Sequence, residues 1–156
     1  MLFKKRVIAD AEQFSLNWSP VVLRFFQMFI GDQTVAEALT IDTLIEHVHG
    51  SVTSSNNDAL VPLLRRALQK AAAANVLPDR ITDPVLRAVI QLEPARRAVI
   101  VLFRGLSLDL TTISQITGFD QGQVRRFCIE ALEELRTLQA RIPPVVPRTP
   151  TFREAR

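Results

Sequence analysis

Apolar side chains recur at three- and four-residue intervals along most of this chain, and prolines, glycines and small polar residues cut that rhythm into segments. Val22, Phe25, Phe26, Phe29 and Ile30 form the first broad stripe, which predicts a helix from Val21 onward. Gly31-Asp32 ends it, and Asp32 is placed to cap a second helix. That helix carries Val35, Leu39, Leu44, Ile45 and Val48 and stops before Gly50. Ser51 to Asn57 is polar and has no apolar period. Asp58 is placed to cap a third helix lined by Leu60, Leu64, Ala67, Leu68 and Ala71. Pro62 falls in its first turn, where a missing N–H costs little.

A boundary follows. Asn75 to Thr82 holds Pro78 and no helical period, the composition of an interdomain linker. Asp83-Pro84 then pairs a cap with a proline at the first helical position, and Val85, Leu86 and Val89 continue that helix. Pro94 opens another, rich in apolar side chains from Ala98 to Phe103. Four of the nine prolines lie in the tail from Ile142 to Arg156, which is expected to be extended or disordered. No hairpin signature and no internal repeat occurs. The expected fold is all-α, two small helical domains joined by a flexible linker. Their bounds are 1–74 and 84–141, with the linker at 75–83 and the tail at 142–156.

Composition narrows the class. The 156 residues are 47% apolar and 22% charged, which is ordinary for a folded chain. The longest apolar run, Ala98 to Phe103, is far short of the roughly 20 residues that cross a bilayer. The basic cluster near the N-terminus has no sustained apolar segment behind it, so no secretory signal or membrane association is expected. The single cysteine, Cys128, builds no internal disulfide, and a cytoplasmic location is the expectation. Net charge is +3, but its distribution is uneven: residues 1–50 carry four basic and six acidic groups, residues 121–156 seven and four. Sixteen of the nineteen cations are arginines, whose planar fork suits phosphate.

The most informative stretch is 109–135. Asp109 is a cap, Ile113 and Ile116 face inward, and small Ser114 allows a second helix to cross closely. Gly118 supplies a left-handed turn, and Asp120 caps again. Val124, Cys128, Ala131, Leu135 and Leu138 form the inner seam of a final helix. This is the pattern of a helix-turn-helix, whose second helix presents its N-terminal side chains to the major groove. The outward residues there are Gln121, Gln123, Arg125 and Arg126, two amides and two guanidinia suited to base edges and phosphates. Any helical hairpin shares the pattern, with both arginines simply solvated, and spacing alone leaves the two open.

Leu92 to Arg136, LEPARRAVIVLFRGLSLDLTTISQITGFDQGQVRRFCIEALEELR, resembles the promoter-reading region four of extracytoplasmic-function sigma factors, without gaps. Arg97-Ala98-Val99-Ile100 matches the entry to the apolar run, Asp109 takes the place of the usual Ser cap, and Gly118 is the turn glycine. Arg24-Phe25-Phe26, Gly31-Asp32, Ala36-Glu37 and Leu39 fall at the spacing of the family's region two. The resemblance implies a bacterial transcription initiation protein that is not an enzyme and needs no cofactor. Its first domain would dock on core RNA polymerase, through Glu37, Leu39 and Asp42. Its second would bind double-stranded promoter DNA. Gln121 and Gln123 would meet base edges, and Arg125 and Arg126 phosphate or guanine, with Thr111 and Thr112 on the preceding helix as further contacts. An anti-sigma factor is a further partner that the resemblance allows.

The chain departs from the family's pattern in both halves. Leu60 and Pro62 stand where the family has aromatic residues, and no aromatic side chain occurs between Phe29 and Phe103. Stacking on flipped bases, worth about 1–3 kcal/mol per base, loses its usual platform there. Phe127, Ile129 and Glu130 replace basic or polar residues on the final helix. Two other functions fit such a divergent chain: a protein-interaction adaptor that uses Phe127 and Ile129, or a DNA-binding regulator that uses only 84–141. Exposure of Phe127 and Ile129 would favour the adaptor. His47 and His49 point to different sides of a helix, and Asp42 with Glu46 lacks further ligands, so no metal site is expected. Trp18 reads as a packing anchor and Cys128 as a buried thiol.

Overall fold

The computed structural model describes residues 2–50, 58–75 and 78–141, and among them every regular element is helical. The elements are α1 (Leu2–Ile30), α2 (Gln33–Gly50), α3 (Leu60–Ala73), a 3-10 turn (Pro78–Arg80), α4 (Pro84–Gln91), α5 (Pro94–Ile100), α6 (Leu110–Thr117) and α7 (Gln121–Ala140). A π-helical stretch, Val101–Gly105, continues α5. The all-α class expected from periodicity is thus observed. The Ser51–Asn57 loop and the proline-rich tail lie outside the described residues.

Local chemistry sets most of the boundaries. Asp32 accepts from the backbone N of Val35 at 3.1 Å, and Asp83 from Val85 and Leu86 at 2.8 and 3.2 Å. Pro84 and Pro94 both enter in the first turn of their helices. The third cap differs from expectation. Buried Ala59, not Asp58, holds the capping position of α3 and contributes no side-chain bond. Tertiary packing replaces the cap, because Leu63, Leu64 and Ala67 are fully buried along one face of α3.

Helix α1 begins well upstream of the Val21 stripe and runs through Pro20. Proline removes a helical hydrogen bond, so the extension needs support from packing. Phe14 stacks on His47 of α2, with ring centroids 5.2 Å apart and planes 8° from parallel, and Trp18 lies 6.3 Å from Phe14. Trp18 therefore does act as a packing anchor.

One apolar cluster runs through both halves of the chain, from Val22, Phe25, Phe26 and Phe29 through Leu64 to Val99, Leu102, Ile113 and Val124. Helix α1 packs against α2 and α3, and also against α4 and the π-helical stretch, while α3 meets α6. Three contacts show how close the join is. Arg97 lies with its guanidinium carbon 5.1 Å from the Phe29 ring centroid, and donates to the carbonyls of Ile90 at 2.6 Å and Leu92 at 3.0 Å. Burial lowers its pKa, yet an arginine stays charged at neutral pH. Gly105 faces Met28 so closely that a Cβ would stand 2.5 Å from the Met28 sulfur. Ile81, inside the segment expected to link two domains, is 2% exposed, and its carbonyl accepts from Arg87. That segment is therefore anchored at Ile81, and the two halves share a core.

Candidate nucleic-acid interface

Helices α6 and α7 are held at a fixed angle by bonds that the sequence specifies locally. Asp109 accepts from the backbone N of Thr112 at 2.7 Å, and this bond is the foremost cause of its lowered carboxyl pKa. Gly118 follows α6 with φ +79° and ψ 3°, and its N–H closes on Ser114 O at 2.9 Å. A side chain there would be strained in the left-handed region, which is why glycine serves the turn. The Ser114 hydroxyl donates to Phe119 O and fastens the turn from inside. Asp120 then accepts from Gln123 N at 2.8 Å, while Gln123 Oε1 accepts from Asp120 N at 3.1 Å, a complete capping box. Ile113, Ile116, Val124, Cys128 and Ala131 are buried beneath, as their spacing predicted. Burial pushes the Cys128 thiol upward, opposed by nearby Arg104, consistent with an inert packed thiol.

On the outer side the structure brings Thr111 and Gln121 together, and Arg125 follows Gln121 one turn later on α7. Thr111, Gln121, Gln123, Arg125 and Arg126 are exposed, and Thr112 is half-buried. Gln121 Nε2 donates to Thr111 Oγ1 at 3.0 Å across the turn, so the two form a joined polar edge. Gln123, though exposed, has its side-chain carbonyl oxygen engaged in the capping box. Arg126 lies over the Phe127 ring at 5.2 Å, with Glu130 Oε1 3.8 Å from its Nε. Glu130 and Glu134 are in turn drawn to Arg96, each at 3.0 Å. The hydrogen bond to Glu134, first among several causes, raises the Arg96 pKa. Arg125 makes no ion pair among the described residues.

The expected polymerase-facing residues are arranged differently. Glu37 is exposed and accepts from Gln33 Nε2, one turn earlier. Leu39 is half-buried against the core. Asp42 and Glu46 both take Lys70 of α3, which raises the Lys70 pKa, the Asp42 hydrogen bond being the larger cause. Among the exposed polar residues of α2 stand two large apolar ones, Ile41 at 60% and Ile45 at 51%, beside Leu16 at 72% on α1. With Leu23, Leu44 and Val48 they line a groove of about 1030 Å³. Ile45, one of the apolar positions that mark this helix in the sequence, thus faces outward. The reason is that α2 carries apolar residues on two arcs, and its buried arc is Ala36, Thr40, Thr43, Leu44 and His47, flanked by half-buried Val35 and Leu39.

Phe127 is half-buried, edge-on to Phe119 at 5.2 Å, whereas Ile129 is 53% exposed. Among the described residues no group of acidic, histidine or cysteine side chains is arranged to hold a metal ion, and no helix is long and apolar enough to cross a membrane. No protein-family model matches the chain, and a search of curated proteins finds no match.

Proposed function

We propose that the chain is a sigma-factor-like transcription initiation protein, which binds core RNA polymerase and contacts promoter DNA through α7. The observation that carries this reading is the doubly capped pair α6 and α7, turned at Gly118, with Gln121, Arg125 and Arg126 exposed at its entry end. Amide and guanidinium groups so presented suit base edges and phosphates. The mechanism is recruitment and positioning rather than bond chemistry, in a cytoplasmic setting. Because the two halves share a core, the protein would meet polymerase and DNA as one body, and a regulator built from 84–141 alone is less well supported. The outward apolar side chains Ile41 and Ile45 make α2 the candidate docking helix, in place of the polar contacts that the resemblance implies.

The test is incubation of the full chain with core RNA polymerase, followed by gel filtration and run-off transcription from genomic fragments. A stable complex and discrete transcripts are expected. Absence of both, from folded protein, overturns the proposal. The exposure of Ile129 favours a second reading, an adaptor that meets a protein partner. That reading expects co-purification with a protein and no preference among duplexes.

A further inference from the structure

Resting on the DNA-binding reading above, we infer that Ile129 is a base-specificity residue that recognises the methyl group of thymine in the major groove. Gln121, Arg125 and Ile129 follow one another at four-residue spacing on α7 and therefore share one face of the helix. All three are exposed, Ile129 to 53%. Its surroundings are those of a solitary apolar group among charges. Arg125 and Arg126 precede it by one turn, and half-buried Leu132 and exposed Glu133 follow it by one turn. Phe127, the nearest other large apolar side chain in sequence, is turned onto Phe119 and covered by Arg126. As a single exposed side chain, Ile129 offers a protein partner little apolar area. The guanidinia one turn earlier complement a polyanion, and among base edges the C5-methyl of thymine is the one apolar feature that the major groove displays.

The spacing limits where that methyl can lie. Eight residues of helix separate Gln121 from Ile129, a rise of about 12 Å, which spans at most between three and four base pairs at about 3.4 Å each. Helix α7 would therefore lie along the groove rather than enter it end-on. Exposed Glu133, the next residue on this side, would repel the phosphates and so closes the footprint just beyond Ile129.

The experiment selects duplexes from a random library with the full chain, then replaces individual thymines in the selected sequence by deoxyuridine, which lacks only the methyl. Wild type is expected to lose about fourfold in affinity at one thymine, within about four base pairs of the position that Gln121→Ala relaxes. Ile129→Val should keep that difference, and Ile129→Ala should abolish it while melting like wild type. Equal binding of thymine and deoxyuridine duplexes at every position overturns the inference and leaves the proposed function standing. Failure to enrich any sequence overturns the proposed function itself. Loss of a protein partner in Ile129→Ala, with thymine discrimination intact, also overturns the inference and assigns the side chain to a protein interface.

Discussion

The outer face of α2 and the entry end of α7 both carry polar side chains, yet they use their charges in opposite ways. On α2, Asp42 and Glu46 are drawn to Lys70 and Glu37 takes Gln33, so the polar groups serve the fold and apolar Ile41 and Ile45 are left facing water. On α7, two of the three acidic groups, Glu130 and Glu134, are occupied by Arg96 and the third, Glu133, lies away from the entry end, where Gln121, Arg125 and Arg126 remain exposed. A partner in the groove between α1 and α2 would meet mainly hydrocarbon, and one at the entry end of α7 mainly cations and amides. Two surfaces of the same small protein thus differ in chemistry, and the proposed function assigns polymerase to the first and DNA to the second.

The core that joins these surfaces gives the largest expected effect. Phe29→Ala removes a ring that stacks on Phe25 and lies beneath the Arg97 guanidinium, and should cost about 3–5 kcal/mol in urea unfolding. Since the cluster spans both halves, the loss should appear in a single transition reported alike by probes in α2 and α7. Two separated transitions, with only the first shifted, would show that the surfaces sit on independent units.

At α2 the comparison predicts that apolar contact outweighs charge. Ile41→Asp should weaken binding to core RNA polymerase by at least about tenfold, while Asp42→Asn should change it little. The reverse order would return the contact to the polar side of the helix. A smaller effect concerns the seam between α1 and α2. Burial first, and the Arg66 cation second, lower the His47 pKa from its usual 6.5. The folded chain therefore binds this proton less readily than the unfolded chain. The stability that neutral His47 contributes is complete above 6.5 and is lost as pH falls below it. The thermal midpoint should fall between about pH 7 and about pH 5, and His47→Gln should shrink that dependence.

Features set by short-range chemistry were legible in the sequence. The caps at Asp32, Asp83, Asp109 and Asp120 and the turn at Gly118 each depend on residues within a few positions, and all are present. Features set by distant partners were not. Helix α1 continues through Pro20 because Phe14 meets His47 on another helix, a contact that no local rule reveals. Asp42 is paired because α3 brings Lys70 to it, and α3 dispenses with an Asp58 cap because its inner face is buried. Ile41 and Ile45 were hard to assign because apolar residues surround much of α2, so periodicity could not select the buried arc. At the candidate interface the residue types were legible, but the capping box that engages Gln123 and the Phe119–Phe127 contact required the folded chain.

The central claim is that α7 presents its guanidinia to DNA phosphates. Titration of the full chain with a selected duplex over a range of salt concentrations tests it most directly, comparing wild type with Arg125→Ala, Arg126→Ala. If both side chains neutralise phosphates, the plot of log affinity against log salt should flatten by about 2 units, with weaker binding at low salt. An unchanged slope and affinity in the double variant would contradict the account.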